Sequence, residues 1–332
     1  MNYKLFYIFR HIYKKMPHSI QNRILEILAL FRSFPLGINY LLHDHDKFES
    51  ELSIAAIVKN EASYIKEWIE YHRLVGVERF YIYDDSSTDN LLLGGGLRPY
   101  IESGLVIYGT VLGKWMQVGA YNDAIKKYRN KTKWLAFVDI DEFIVPLSKE
   151  KITETLTEIE TKISKKIFVL DVHRVDYGYS GFEKKPEGLV IENYTKSDGV
   201  EKVYKSIVNP RAVVWMCGAH STVNLFNMVA INEKGIKIKN ECYIQVGKCL
   251  SDLSFISCEH IRVNHYRTKS YEEYKQKIGR NLINAYPYHS EYAKTLKIPE
   301  FDPEYGSHYD DMVMDKYVPI LKSIAKDANN ES

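Results

Sequence analysis

Cysteine, long apolar runs and net charge are all scarce in this chain of 332 residues. The four cysteines, Cys217, Cys242, Cys249 and Cys258, form no C-x-x-C pair and no small disulfide framework, so a zinc ribbon and a disulfide scaffold are not indicated. A reducing compartment is the simpler expectation. A membrane span needs about 20 uninterrupted apolar residues, and the best candidate, residues 24–42, is broken by Glu26, Arg32 and Pro35. No signal peptide is expected, because the first residues lack a long apolar core followed by a small-residue cleavage site. With 45 basic and 43 acidic residues the formal charge is only +2, which gives no global reason to bind nucleic acid or another polyanion. Gly94-Gly95-Gly96 is not followed by the G-K-[ST] of a phosphate loop and reads as a turn.

Acids are also missing from the amino terminus. None precedes Glu26, whereas Lys4, Arg10, Lys14, Lys15, Arg23 and Arg32 are interleaved with Phe, Tyr, Leu and Ile. Such a basic amphipathic segment either lies on an anionic membrane surface or docks on the domain, and the sequence leaves both open. What the chain has in quantity is aromatics, 13% with 26 tyrosines, which stack on sugar rings as well as packing cores.

From residue 52 strand-like and helical runs alternate. Leu52-Ser-Ile-Ala-Ala-Ile-Val58 is a buried-strand run followed by the polar turn Lys59-Asn60-Glu61. Ile65, Trp68, Ile69 and His72 recur at helical spacing up to Gly76, and the apolar face carrying Trp68 and His72 is expected in the core. Arg79-Phe-Tyr-Ile-Tyr83 is a second strand closed by an acidic turn that begins Asp84-Asp85. Strand, helix, strand in this order predicts an α/β fold with parallel pairing and ligands beyond the carboxyl ends of the strands. A helix over residues 118–128 would carry Gln117 and Asn122 toward the next strand. Residues 167–172 read as another strand, residues 177–210 as a long loop-built segment, residues 261–266 as a strand, and residues 271–284 as a helix. The last 30 residues read as a peripheral tail. We expect an amino-terminal amphipathic segment over 1–48, a main domain over 49–270 and a helical extension over 271–332.

The most informative run is Trp134-Leu-Ala-Phe-Val-Asp139-Ile-Asp141-Glu142-Phe-Ile-Val-Pro146. A greasy strand ends in three carboxylates. In extended backbone Asp139 and Asp141 face the same way while Ile140 turns to the core. Two hard oxygen donors on one side suit Mn²⁺ or Mg²⁺, which leave coordination positions for phosphate oxygens.

Ile57-Val-Lys-Asn-Glu61, Glu67-Trp-Ile-Glu-Tyr-His72, Gly76-Val-Glu-Arg-Phe-Tyr-Ile-Tyr-Asp-Asp85 and Phe137-Val-Asp-Ile-Asp-Glu-Phe143 stand in an order that resembles the GT-A glycosyltransferases, most of all family 92 and family 2-like bacterial enzymes. The segments Pro186-Glu-Gly-Leu-Val-Ile-Glu192, Val203-Tyr-Lys-Ser-Ile-Val-Asn-Pro210, the one around His220, and Val263-Asn-His-Tyr266 are similar to that group's second half, so the likeness covers roughly residues 52–280. Tyr177-Gly-Tyr-Ser-Gly-Phe182 departs from it: Tyr179 and Phe182 stand where the group has serine and histidine, which bears on acceptor preference.

The resemblance implies an inverting transfer of a hexose from a nucleotide sugar, most often a UDP-sugar, to a hydroxyl of a surface glycan or lipid-linked oligosaccharide. For bacterial relatives this means lipopolysaccharide or other polysaccharide biosynthesis at the inner face of the cell membrane, in the cytoplasm. It implies Glu61, Asp84 and Asp85, with Gln117 and Asn122, on the donor side; Asp139 and Asp141 as metal ligands; and Lys205 as a phosphate partner. A third, histidine ligand is expected, with His265 ahead of His220 and His260. For the base the acids of the second half are Asp176, Glu183 and Glu192, with Glu192 favoured. A metal-dependent phosphoesterase or a non-catalytic sugar-binding module are the alternatives. The first would want a basic cleft, and the second would not need the paired aspartates.

Overall fold

The computed structural model describes residues 18–43, 47–111, 116–226, 228–238, 255–283 and 300–330. The expectations for Lys4, Arg10, Lys14, Lys15, Cys242 and Cys249 fall outside them. After helix α1 (His18–Leu42) come β1 (Ser50–Val58), α2 (Ile65–Leu74), β2 (Arg79–Asp84), α3 (Arg98–Glu102), β3 (Val106–Thr110), α4 (Met116–Tyr128), β4 (Thr132–Phe137), β5 (Glu142–Pro146) and α5 (Ile152–Ile163). Then follow β6 (Val169–Tyr177), α6 (Val190–Asn193), β7 (Lys196–Val208), β8 (Val213–Met216), β9 (Thr222–Asn224), β10 (Ala230–Ile231), β11 (Ile261–His265), α7 (Tyr271–Ile283), β12 (Tyr309–Asp310) and α8 (Val318–Asn330).

The main sheet runs β3-β2-β1-β4-β7-β6-β11-β5. Its first four strands are parallel, as the alternating pattern predicts. β7 then lies antiparallel to both β4 and β6, β11 runs parallel to β6, and β5 antiparallel to β11. The mixed half must curl. Neighbouring strands lie about 4.8 Å apart, so a flat path β4-β7-β6-β11-β5 would separate β4 from β5 by roughly 19 Å. Yet only residues 138–141 join them, in a turn where the Glu142 N–H donates to the Asp139 carbonyl at 3.0 Å. The acidic turn therefore spans the mouth of a curled sheet.

Two helices are held by that arrangement. Trp68, Tyr71 and His72, at helical spacing on α2, seal the outer edge of β5. Trp68 Nε1 donates to the Glu142 carbonyl at 2.8 Å, Tyr71 Oη to that of Ile144 at 3.1 Å, and His72 Nε2 accepts the Ile144 N–H at 3.2 Å. An open edge would be a template for foreign strands, and here its polar groups are paired in the core. Burial lowers the His72 pKa to about 3, so the ring is neutral and its Nδ1 proton goes to the Trp68 carbonyl at 2.8 Å. The core assignment of Trp68 and His72 stands.

Three expectations are corrected. Residues 177–210 are not one loop, because β7 fills residues 196–208 between β4 and β6. The carboxyl-terminal stretch is not a peripheral tail: β12 pairs with β7, Arg262 binds Asp311 at 2.6 Å, and Met314, Tyr317 and Leu321 are buried in the main core. Gly178 shows how closely that stretch packs, since a Cβ there would sit 2.0 Å from the Tyr305 carbonyl oxygen. Finally, Cys217 is disulfide-bonded where free thiols were expected, while Cys258 is free.

Candidate active site

Asp139 and Asp141 do not lie in extended strand as the alternation reasoning assumed; they occupy the turn between β4 and β5. They remain neighbours because that turn bridges the curl. Strand register brings the rest of the cluster to it: His265 of β11 stands opposite Glu142 of β5 on one side and Asp176 of β6 on the other. His265 Nδ1 lies 2.8 Å from Asp176 Oδ1, which leaves Nε2 turned toward Asp141 at 3.8 Å. A carboxylate behind one ring nitrogen fixes the tautomer whose other nitrogen carries the lone pair.

Asp139 is held by four groups. Its backbone N–H donates to Glu142 Oε2 at 2.8 Å; its Oδ1 accepts from Gln117 Nε2 at 2.9 Å and Tyr121 Oη at 3.2 Å; and Lys205 Nζ binds its Oδ2 at 2.8 Å. Burial would raise the pKa of both aspartates, but neighbouring cations more than offset it. Lys205 holds Asp139 below the usual carboxylate range, and Lys277, His265 and Lys269 hold Asp141 there. Both are carboxylates at neutral pH.

The other expected residues fall into three groups. Gln117 reaches Asp139, and Glu61 lies in the field of Lys277, the lysine bound to Asp141. Lys205 reaches the site as a buried bridge, 2.8 Å from both Asp139 and Glu142, not as an open phosphate partner. Asp84 caps its own turn by accepting from Ser87 N–H at 2.9 Å and Tyr108 Oη at 2.6 Å, while Asp85 pairs with Lys59 at 3.2 Å. Asn122 is turned away, tying α4 to the backbone of Met216 at 2.8 and 2.9 Å.

Among the acids considered for proton transfer, Asp176 is taken up by His265 and lies 3.8 Å from Arg174. Glu192, on the surface of α6, binds Lys322 of α8. Glu183 contributes its carbonyl to the Glu272 N–H at 2.9 Å. His220 Nδ1 bonds the Tyr204 carbonyl at 2.7 Å, and burial followed by the charge of Lys205 lowers its pKa to about 3. His260 lies apart, against Lys162 at 2.6 Å and Glu233 at 3.8 Å.

Three residues were missed. Arg174 links Glu142 at 3.2 Å to Glu201 at 2.6 Å, and Lys277 of α7 binds Asp141. Lys277 carried a faint signal, a cation one helix after the His265 strand; Arg174 and Glu201 carried none. Of the two residues that depart from the family pattern, Tyr179 is buried among Tyr271, Tyr274, Phe301 and Tyr305, and Phe182 packs on Tyr194.

Among the described residues no three His, Cys, Asp or Glu side chains are already gathered at ligand distance. The donor set nonetheless fits a hard divalent cation: two ionised carboxylates from one turn and an imidazole Nε2 oriented from behind by Asp176. Asp139, Asp141 and His265 are the residues that would hold it.

A parallel αβ half joined to a curled mixed half, with an acidic turn at the junction, is the GT-A type of α/β architecture. The family model described as glycosyltransferase family 92 matches residues 51–297. A family 92 protein of Oryza sativa subsp. japonica is 26% identical over 230 residues, covering 69% of this chain and 35% of that protein. The β-1,4-galactosyltransferase galt-1 of Caenorhabditis elegans is 23% identical over 279 residues, covering 74% of this chain and 63% of that one. The solved structure of GalNAc-T7 with UDP, GalNAc and Mn²⁺ is similar at a TM-score of 0.31 and 12% identity, covering 82% of this chain and 57% of that one. The chain belongs to glycosyltransferase family 92. It spans about a third of the length of the plant relatives it matches first.

Proposed function

We propose that this chain transfers a hexose from a nucleotide sugar, a UDP-sugar by preference, to a hydroxyl of a surface glycan or lipid-linked oligosaccharide. The names of relatives, galt-1 of Caenorhabditis elegans and two galactan β-1,4-galactosyltransferases of Arabidopsis thaliana, favour galactose as the first sugar to try. The observation that carries the reading is the junction itself: Asp139 and Asp141 in the turn across the curled sheet, with His265 Nε2 aimed at Asp141 and its back held by Asp176.

Asp139, Asp141 and His265 would hold Mn²⁺ or Mg²⁺, and the chemistry such an ion supplies is neutralisation of the charge on the departing diphosphate. The chain's own residues do the rest. Lys277 can release Asp141 and turn to a phosphate oxygen, a short swing for a flexible ammonium. Lys205 and Arg174, buried behind the turn, fix Asp139 and Glu142 so that the carboxylates need not reorganise as charge develops. In an inverting transfer the acceptor oxygen attacks the anomeric carbon opposite the leaving diphosphate, and its proton passes to a carboxylate at the rim. Glu201 suits that role better than Glu192. It is about one-third exposed beside Arg174, and burial and Asp176 raise its pKa.

Asp141→Asn is the cleanest test, since Asp139 also closes a buried charge cluster. Donor hydrolysis or transfer across a nucleotide-sugar panel should fall roughly a hundredfold or more, and Mn²⁺-dependent UDP binding by calorimetry should weaken, with the fold kept by circular dichroism. Turnover near the parent's would overturn the proposal. Metal-independent UDP binding in the parent would leave a donor site but remove the cation from it.

A further inference from the structure

Helix α1 is docked inside out. Ile27, Phe31, Phe34, Ile38 and Leu41 follow one another at steps of four and three residues and so form a single seam along the helix. In a surface helix of a soluble domain that seam turns inward. Here it is the outer face: Phe31 is 77% exposed, Phe34 70% and Leu41 79%, and Leu30 and Leu42 flank them exposed as well. The inward face is mixed, with Ala29, Leu36 and Tyr40 half-buried beside small residues. Ser33 is buried, Gly37 lies so close to Phe226 that a Cβ would come within 2.9 Å of its ring, and Arg32 stacks over Trp215 at 5.4 Å on the β8–β9 hairpin. At the helix end His43 Nδ1 bonds the Asn39 carbonyl at 2.9 Å and Nε2 meets Asn130 Nδ2 at 2.9 Å. A narrow mixed face is thus used for docking, and an apolar stripe about 20 Å long is left facing outward.

We infer that this stripe seats the protein on the surface of an anionic lipid monolayer, with α1 lying in the interface. Charge selects lipid over a protein partner. The sequence before Glu26 carries Lys4, Arg10, Lys14, Lys15 and Arg23 with no acid, the combination that draws a helix to anionic headgroups. No described helix is long and apolar enough to cross a membrane, so α1 lies on the surface and does not span it. Family membership and the donor site play no part in this inference, since none of the stripe residues touches the acidic turn.

The test uses the full chain and sedimentation with vesicles of phosphatidylcholine alone or mixed with phosphatidylglycerol. Binding is expected to the mixed vesicles, to weaken as salt is raised, and to fall about tenfold or more in the double variant Phe31→Ser with Phe34→Ser. Melting temperature and nucleotide-sugar hydrolysis in solution should stay at parent values in that variant. Four results would overturn the inference: no binding of the parent to anionic vesicles at low salt; equal binding by the double variant; a loss of thermal stability in it, which would mean that residues 1–17 or other parts of the chain cover the stripe; or a shift from dimer to monomer on substitution, which would make the stripe a contact between two copies.

Discussion

Replacing Lys205 by methionine separates a buried counter-charge from a phosphate-binding lysine, the role expected of it from family resemblance. The ammonium is 2% exposed and sits 2.8 Å from Asp139 and 2.8 Å from Glu142. Burial alone would lower its pKa, but Asp139, Glu142 and Tyr121 raise it above the ordinary lysine value, so it is charged at any workable pH. Methionine keeps most of the volume and removes the charge, leaving two carboxylates facing each other with Arg174, Gln117, Tyr121 and the Asp139 N–H in support. Removing one partner of a buried ionic cluster costs on the order of 3–5 kcal/mol. At about 2–4 °C of melting temperature per kcal/mol for a domain of this size, the expected drop is roughly 6–20 °C. Scanning calorimetry or thermal unfolding followed by circular dichroism reads it directly. Adding Glu142→Gln should recover part of the loss, because one of the two stranded charges goes with it. A melting temperature within about 2 °C of the parent, together with weakened UDP binding, would show that Lys205 faces the ligand and that the buried bridge is wrong.

Asp171 has a pKa raised to about 8 by burial, against a partly opposing hydrogen bond from Ser206 at 2.6 Å. A raised folded pKa means the unfolded chain binds fewer protons between pH ~4 and ~8, so stability falls as pH rises through that window. Asp171→Asn should remove that slope and raise the neutral-pH melting temperature; an unchanged slope in pH-dependent urea unfolding would refute it. His265→Ala should weaken Mn²⁺-dependent UDP binding more than His220→Ala, because His265 Nε2 is turned toward Asp141 at 3.8 Å, and the reverse order in a calorimetric Mn²⁺ titration would make His220 the ligand. Glu201→Gln should lower kcat with little change in UDP affinity, whereas Glu192→Gln should leave both close to the parent; equal losses in steady-state assays would remove Glu201 as the proton acceptor.

The sequence was informative where the chemistry of the site coincides with a hydrophobic pattern. β1, β2 and β4 are apolar runs bounded by polar turns, so their parallel half, the acidic turn after β4 and the core face of α2 were all legible. So was β11 with His265, a short run returning after an irregular stretch. β7 was not. Its sequence, KSDGVEKVYKSIV, mixes charges into a strand, because its first half is largely exposed or half-buried and Lys205 in its buried half is held between two carboxylates. Lys205 could be named as a candidate, but its buried place between two carboxylates had no local signal.

The sequence by itself determined the alternation of elements, the family likeness and the candidacy of Asp139, Asp141 and His265, since each depends on residues close together in the chain. Only the tertiary structure decided which charges meet. Arg174, Glu201, Lys205 and Lys277 come to the acidic turn through strand register and curl, which depend on pairings between distant segments. The orientation of α1 belongs to the same class. Periodicity gives a helix its apolar seam, but whether that seam faces the domain or away from it is set by the shape of the surface it docks on. Here Arg32 packs on Trp215 of the β8–β9 hairpin and Gly37 on Phe226, and the seam is left outside.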